Sequence, residues 1–98
     1  MTIEKTISES TLNIALNGRL DTNTAPQLEA ELKASLSGVE HLILDFEQLS
    51  YLSSAGLRVL LAAQKQMNRQ GDMVVRHVNE TIAEIFDVTV FCEILTIE

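Results

Sequence analysis

Apolar and polar residues alternate along the first part of the chain, which is the pattern of β-strands with one buried face. Segment 2–7 carries Ile3 and Ile7 on one face. The clearest alternation lies in segment 11–17, whose buried positions are predicted to be Leu12, Ile14 and Leu16. A short polar turn separates the two segments, so we predict a β-hairpin that is buried on one side.

The spacing becomes helical after segment 18–23, which we interpret as a strand end followed by a loop. Thr24 and Gln27 fit a capping box, and Pro26 is tolerated in the first turn of a helix. An apolar stripe then recurs every four residues, at Leu28, Leu32 and Leu36. We predict a helix that is capped by Thr24 and stops near Gly38.

Segment 41–46 is nearly continuous in apolar residues, which favours a central strand covered on both faces. A short loop follows, and a second helix is predicted to begin near Ser54. One face of this helix is apolar, with Leu57, Leu60, Leu61 and Met67. The other face carries a basic arc, formed by Arg58, Lys65 and Arg69. Such arcs are usually solvated, and contact with an acidic partner or a phosphate is the alternative interpretation.

Three shorter elements follow: a strand at 73–78, a helix at 81–87 and a strand at 93–97. Segment 88–92 is ambiguous between helix and loop. The predicted order is therefore β-β-α-β-α-β-α-β in a single domain over residues 1–98. Helices between strands imply crossover connections, so we predict an α/β fold with a mixed sheet of about five strands and helices packed on it.

Composition and charge narrow the class of protein. A chain of 98 residues forms one domain, and its net charge of −7 argues against nucleic acid or an anionic membrane as a direct partner. No apolar run is long enough for a membrane-spanning helix, and the start of the chain lacks the pattern of a signal peptide. The single cysteine, Cys92, excludes an internal disulfide and a cysteine-based metal cluster. We expect a cytoplasmic protein without membrane insertion.

Residues suited to catalysis are sparse. His41 and His77 stand at strand ends, far apart in sequence, and are predicted to be surface residues. Cys92 lies between Phe91 and Ile94, where a buried, inert thiol is expected. The four glycines are scattered and build no phosphate-binding loop. We predict a binding protein that has no catalytic residues, cofactor or metal ion.

Ser53 and Ser54 stand directly before the second predicted helix. Unpaired N–H groups and the positive end of the helix dipole favour an anion there. Ser54 therefore has two interpretations: an ordinary N-cap worth roughly 1 kcal/mol to the helix, or a phosphorylation site. The small residues Ala55 and Gly56 leave the first turn open to a docking surface, which favours phosphorylation. Arg58, one turn further on, is placed to pair with a phosphate.

Three segments, in this order and spacing, resemble the STAS domain, and more closely the stand-alone bacterial anti-sigma factor antagonists. They are Gly18–Ala25 (GRLDTNTA), Leu42–Phe46 (LILDF) and Leu49–Leu57 (LSYLSSAGL), and the resemblance covers essentially the whole chain. The family pattern Asp-Ser-Ser/Thr-Gly falls on residues 53–56. The resemblance therefore implies that Ser54 is the phosphate acceptor.

Two positions depart from that family pattern. Ser53 stands where the family usually has aspartate, so a negative charge available for recognition by a kinase is missing. Ser53 also becomes a rival acceptor. Ala55 stands where the family has a second hydroxyl residue.

The resemblance also implies a cycle of partner exchange. In the family, the unphosphorylated antagonist binds an anti-sigma factor, which is itself a serine kinase, and thereby frees a sigma factor. Phosphorylation releases the antagonist, and a serine phosphatase resets it. The implied partner surface combines the loop before the first helix with the acceptor region, and comprises Asp21, Thr22, Asn23, Ser53, Ala55, Gly56 and Arg58.

Other interpretations stay open at this point. The loop at 21–23 is equally consistent with an ordinary polar loop, in which Asp21 and Thr24 serve as turn and cap residues. A lone STAS domain also fits a cytoplasmic accessory subunit of a lipid-transporting ATPase, in which the serine helix docks without phosphorylation. A small catalytic domain that uses His77 or Cys92 is the third possibility.

Overall fold

A five-stranded sheet forms the framework of the domain. The computed structural model describes residues 1–89 and 94–98, and its strands lie side by side in sequence order. They are β1 (Thr2–Ser8), β2 (Thr11–Leu20), β3 (His41–Leu52), β4 (Asp72–Arg76) and β5 (Thr96–Ile97). β1 pairs with β2 in antiparallel fashion, and the other neighbouring pairs are parallel. The predicted hairpin and mixed sheet are confirmed.

Within residues 1–89, three helices follow the strands β2, β3 and β4. They are α1 (Ala25–Ser35), α2 (Ser54–Gln70) and α3 (Glu80–Val88), so the predicted order of elements is also confirmed. Their buried residues join those of the sheet in one apolar core, whose largest fully buried side chains include Phe46 and Phe86. Gln64 is buried on the apolar side of α2, where its Nε2 donates to Asn68 Oδ1 at 2.8 Å.

Strand β3 is buried on one face only, so the prediction of a strand covered on both faces was wrong. Leu42, Leu44 and Phe46 are fully buried, whereas Ile43 and Asp45 between them are half-buried. The helices pack against the first set. The second set lies on what we call the open face of the sheet, where the side chains of neighbouring strands shield Ile43 and no helix of the described residues covers it.

β3 also continues to Leu52, through the segment predicted to be a loop. Its pairing with β2 shifts between the pairs Ala15–Asp45 and Asn17–Gln48, because β3 has one more residue than β2 in this interval. Such a β-bulge changes which residues face the core. It thereby interrupts the period-2 pattern, and this is why the sequence did not reveal the second half of the strand.

Smaller differences concern the ends of elements. Strand β4 is shorter than the predicted 73–78 segment at its C-terminal end, and α3 extends one residue beyond the prediction at each end. β5 comprises Thr96 and Ile97. Cys92 and the first residue of the predicted last strand lie outside the described residues.

Candidate functional site

The start of α2 places two neighbouring serines in different environments. Ser53 is extended (φ −96°, ψ 174°) and is the N-cap, and its Oγ accepts a hydrogen bond from the Gly56 amide at 3.4 Å. Ser54 is the first residue of the helix and is exposed. The predicted start of the helix near Ser54 is confirmed, whereas the interpretation of Ser54 as its N-cap is wrong by one residue. The Ser53 amide donates to Leu20 O at 2.9 Å, and this bond fixes the point at which the chain leaves the sheet.

The position of the N-cap determines which of the two serine hydroxyls another protein can reach. Ser53 Oγ is engaged by its own helix, whereas the part of the chain that the structure describes supplies no hydrogen-bond partner for Ser54 Oγ. Ser54 thus combines an accessible hydroxyl with the positive end of a helix of 17 residues. Of the two candidate acceptors, it is the one that a second protein can reach without disrupting the cap.

Gly56 has a structural role that the sequence did not reveal. It is buried, and a Cβ at this position would lie 2.7 Å from Leu20 Cγ and 2.7 Å from Leu52 Cδ1. The expectation that Gly56 opens the backbone to a docking partner is wrong, because this glycine faces the core. It allows the first turn of α2 to approach β2 and β3 closely, and so sets the position of the serines above it.

The loop before α1 is held by its own polar groups. Asp21 Oδ1 accepts from the amides of Asn23 at 3.0 Å and Thr24 at 3.1 Å. Thr24 Oγ1 donates to Arg19 O at 2.7 Å and accepts from the Asp21 amide at 2.8 Å, so it makes no cap bond to α1. The predicted capping box with Gln27 is therefore wrong, because the Thr24 hydroxyl is directed back into the loop.

These contacts also set the charge of Asp21. Desolvation raises the pKa of this carboxyl, but the hydrogen bonds from Thr24 and Asn23, together with Arg19, outweigh it and hold the pKa below its usual range. The Asp21 carboxyl is thus ionised at neutral pH, and the hydrogen bonds from the Asn23 and Thr24 amides fix its orientation. Thr22 and Asn23 are exposed at the turn that it supports.

A surface groove joins this loop to the start of α2. Its walls come from the first turns of the two helices and from the preceding loop: Thr22, Ala25, Pro26, Glu29, Ala55, Arg58 and Val59. The structure therefore brings three residues of the predicted partner surface, Thr22, Ala55 and Arg58, to one groove. The other two members of the basic arc, Lys65 and Arg69, lie further along α2 and do not line it.

An arginine–tyrosine pair beside this region was not indicated by the sequence. The guanidinium of Arg19 lies 4.3 Å from the centroid of the Tyr51 ring, and its Nε is 3.6 Å from Asp21 Oδ2. Arg19 and Tyr51 are opposite each other in the parallel pairing of β2 and β3. The two residues are 32 positions apart in sequence, and the register of β2 against β3 brings them together. No local pattern could therefore have indicated the pair.

The two histidines lie at the surface, as predicted. His41 Nδ1 is 3.0 Å from Asp72 Oδ1, and His77 Nδ1 is 2.9 Å from Asp45 Oδ1. These hydrogen bonds, and the carboxylate charges behind them, raise the pKa of each imidazole. Each histidine is matched to a different aspartate, and neither is near the serines in the contacts described. Cys92, the other catalytic candidate, lies outside the described residues.

Comparison with known proteins agrees with this architecture. The family model of the STAS domain matches residues 2–98. The chain is 38% identical, over 84 residues, to BtrV of Bordetella bronchiseptica, which is named provisionally as an anti-sigma factor antagonist. The match covers 84% of this chain and 72% of BtrV. It is 28% identical over 98 residues to the anti-sigma F factor antagonist of Paenibacillus polymyxa, with 97% of this chain and 84% of that protein covered.

Solved structures show the same fold. The anti-sigma factor antagonist SpoIIAA in its unphosphorylated form superposes with a TM-score of 0.78 at 20% identity, over 99% of this chain and 87% of that chain. The phosphorylated form of SpoIIAA gives a TM-score of 0.77 at 20% identity, over 99% and 91%.

The chain belongs to the STAS domain family, and within it to the anti-sigma factor antagonists. This confirms the predicted family and function class, and the names of the relatives favour it over the transporter subunit. Anti-sigma factor antagonists are regulatory binding proteins. Among the described residues, no helix combines the length and the apolar character that crossing a membrane requires.

Proposed function

We propose that the chain is a phosphorylation-controlled switch that binds an anti-sigma factor with serine kinase activity. In this proposal the unphosphorylated chain holds the anti-sigma factor and frees a sigma factor. The kinase transfers phosphate to Ser54, the complex dissociates, and a serine phosphatase restores the binding form. Because sigma factors act in transcription, the proposal also retains the predicted cytoplasmic location.

One observation carries the choice of Ser54: its hydroxyl is exposed at the first position of α2, while Ser53 supplies the cap. A kinase can therefore modify Ser54 without removing a hydrogen bond that the helix needs. Ser53 is the less suitable phosphate acceptor, because its modification would break the hydrogen bond from the Gly56 amide to the Ser53 hydroxyl. The relatives named as antagonists support the partner class.

Electrostatics supports release of the partner without a large change in the domain itself. A phosphate adds about −1.5 to −2 charges, and the start of α2 stabilises that charge. Arg58 is exposed one turn from Ser54 and is placed to pair with it. A like charge about 4 Å away on a partner would cost up to ~4 kcal/mol at an effective dielectric near 20. Half of that cost exceeds a tenfold loss of affinity.

The partner surface we propose is the region around the groove. Asp21, Thr22 and Asn23 contribute from the loop before α1, and Ser53, Ala55 and Arg58 contribute from the start of α2. Gly56 belongs to this site as a buried support rather than as a contact. The pinned loop and the closely packed helix start give a surface that changes little on binding, which lowers the entropic cost of association.

The direct test is capture of the anti-sigma factor from the native host, followed by measurement of its affinity for purified variants. We expect wild type and Ser54→Ala to bind equally, and Ser54→Asp to bind at least about tenfold more weakly. Ser37→Asp is the matched control, because Ser37 is exposed beyond the end of α1, away from the groove. It adds the same charge and should leave affinity unchanged.

Phosphosite mapping after incubation with the captured kinase and ATP tests the acceptor. Phosphate on wild type and on Ser53→Ala, with none on Ser54→Ala, would support the proposal. If Ser54→Asp and Ser37→Asp bind equally well, the switch at Ser54 is wrong. If the bound partner is instead a transporter ATPase, with Ser54 unmodified, the docking-subunit interpretation replaces it.

A further inference from the structure

A second group of polar side chains lies on the open face of the sheet, apart from the serine site. It consists of Asp45 and Glu47 on β3 and His77, which directly follows β4. One donor atom from each residue lies within 4.8 Å of the other two. We propose that these three residues form a binding site for a single zinc ion or a divalent metal ion of similar chemistry. The proposal does not depend on phosphorylation of Ser54.

The distances suit one shared ion. His77 Nδ1 is 2.9 Å from Asp45 Oδ1 and 4.0 Å from Glu47 Oε2. Zn²⁺ holds imidazole nitrogen and carboxylate oxygen at about 2.0–2.2 Å, so its ligand atoms lie roughly 3–3.5 Å apart in a tetrahedral shell. Small rotations of Glu47, whose side chain is 65% exposed, would bring the third donor to this separation. Water would complete the coordination.

The backbone fixes two of the three donors. The Glu47 amide donates to Asp45 Oδ1 at 3.0 Å across the β-bulge of β3, which orients the half-buried carboxylate. His77 adopts a left-handed backbone conformation (φ 58°), which is uncommon for residues other than glycine, although asparagine, aspartate and histidine enter it more readily than most. The chain thus turns immediately after β4 and returns the imidazole to β3. The site therefore joins two neighbouring strands.

Charge also favours a divalent cation. Once a metal ion displaces the proton of His77, two carboxylates and a neutral imidazole give a site of charge −2, which one divalent ion balances. Arg76 is the positive group next to the cluster, and its Nε is paired with Glu98 Oε1 at 2.6 Å. A borderline-soft ion such as Zn²⁺ accepts nitrogen together with oxygen, whereas Mg²⁺ prefers oxygen and retains its waters. We therefore expect zinc to bind and magnesium to fail.

Calorimetric titration of the untagged full chain with Zn²⁺ near neutral pH tests the site. We expect one zinc ion per wild-type chain and a loss of affinity of roughly tenfold or more in His77→Asn and in Asp45→Asn. Asparagine is chosen at position 77 because it tolerates the left-handed backbone. His41→Ala is the matched control, because it removes a histidine that is also paired with one aspartate but lies outside the cluster.

Amide chemical shifts of the wild type, followed during the same titration, locate the ion without any substitution. Shifts concentrated on residues 45–47 and 76–77 would support the site. Absence of zinc binding by wild type would overturn it. So would equal losses in His77→Asn and His41→Ala, or shifts centred elsewhere in the chain.

Discussion

Helices α2 and α3 begin with the same capping geometry, yet they use their first residues differently. Each follows an extended N-cap whose side-chain oxygen accepts from the amide three positions on, Ser53 from Gly56 at 3.4 Å and Asn79 from Ile82 at 2.9 Å. Asn79 also donates from Nδ2 to Leu49 O at 2.9 Å. Both polar groups of the α3 cap are thus committed to the fold, whereas the α2 cap is followed by an exposed hydroxyl.

The third helical position shows the same contrast. Ile82 in α3 fills the core with a fully buried side chain, whereas Gly56 in α2 leaves room for Leu20 and Leu52. One helix start is anchored by inserting a side chain, and the other by bringing its backbone close to the sheet. α2 can therefore present Ser54 on a firm support, because the residues that hold the helix against the sheet are not the residues that face outward.

The largest effect is expected where α2 depends on close approach. Gly56→Val would place three carbon atoms into space already occupied by Leu20 and Leu52. Overpacking of this kind costs typically 1–3 kcal/mol, so we expect the free energy of unfolding to fall by roughly 2–3 kcal/mol. Urea denaturation measures it. Ala62→Val, at an exposed position of the same helix, is the control for valine in a helix and should cost well under about 1 kcal/mol.

A somewhat smaller effect is expected at the start of α3. Asn79→Ala removes the cap and also the partner of Leu49 O, which together should cost roughly 2 kcal/mol. Asn79→Asp keeps the acceptor for the Ile82 amide and replaces the donor to Leu49 O with a charged carboxylate oxygen, so its effect reports the loss of the Leu49 bond together with the added charge. Thermal or urea unfolding of both variants gives the answer. A loss in Asn79→Asp as small as that of a surface substitution would show that the bond to Leu49 stabilises little.

The α2 cap should matter less than the α3 cap. Ser53→Ala removes a single, long hydrogen bond, and we expect a loss of about 0.5–1 kcal/mol in the free energy of unfolding. The measurement is the difference between this variant and Asn79→Ala under the same conditions. Equal losses would contradict the expectation that the Asn79 cap, which makes two hydrogen bonds, stabilises the domain more than the Ser53 cap, which makes one.

Much of this fold followed from patterns of short range. Alternation in 11–17 and the four-residue spacing of Leu28, Leu32 and Leu36 were sufficient to place β2 and α1, because each element buries one regular face. The bulge in β3 broke that regularity, and the second half of the strand was therefore missed. Patterns predict elements where the period holds, and they fail where one inserted residue shifts it.

The candidate site was likewise predictable from the sequence only in part. The serine pair was visible in the sequence, but the assignment of the cap to Ser53 rests on a one-residue difference in where α2 begins. The burial of Gly56 depends on side chains from two strands, and the group around His77 depends on the parallel register of β3 and β4. Such contacts between distant segments have no local signature, so a single sequence does not reveal them.

The smallest change in stability is expected for Ser54, and it tests most directly whether the helix starts of α2 and α3 differ. Ser54→Ala removes a hydroxyl that is exposed and lies outside the cap, so the free energy of unfolding should change by less than about 0.5 kcal/mol. Glu80→Ala is the matched variant at the first position of α3. It removes a carboxylate that interacts favourably with the helix dipole, so the free energy of unfolding should fall by roughly 0.3–1 kcal/mol. Urea denaturation of the two variants beside Ser53→Ala measures all three. If Ser54→Ala destabilises the domain as much as Ser53→Ala does, the Ser54 hydroxyl belongs to the structure of the helix, and a phosphate there would damage the domain itself as well as release a partner.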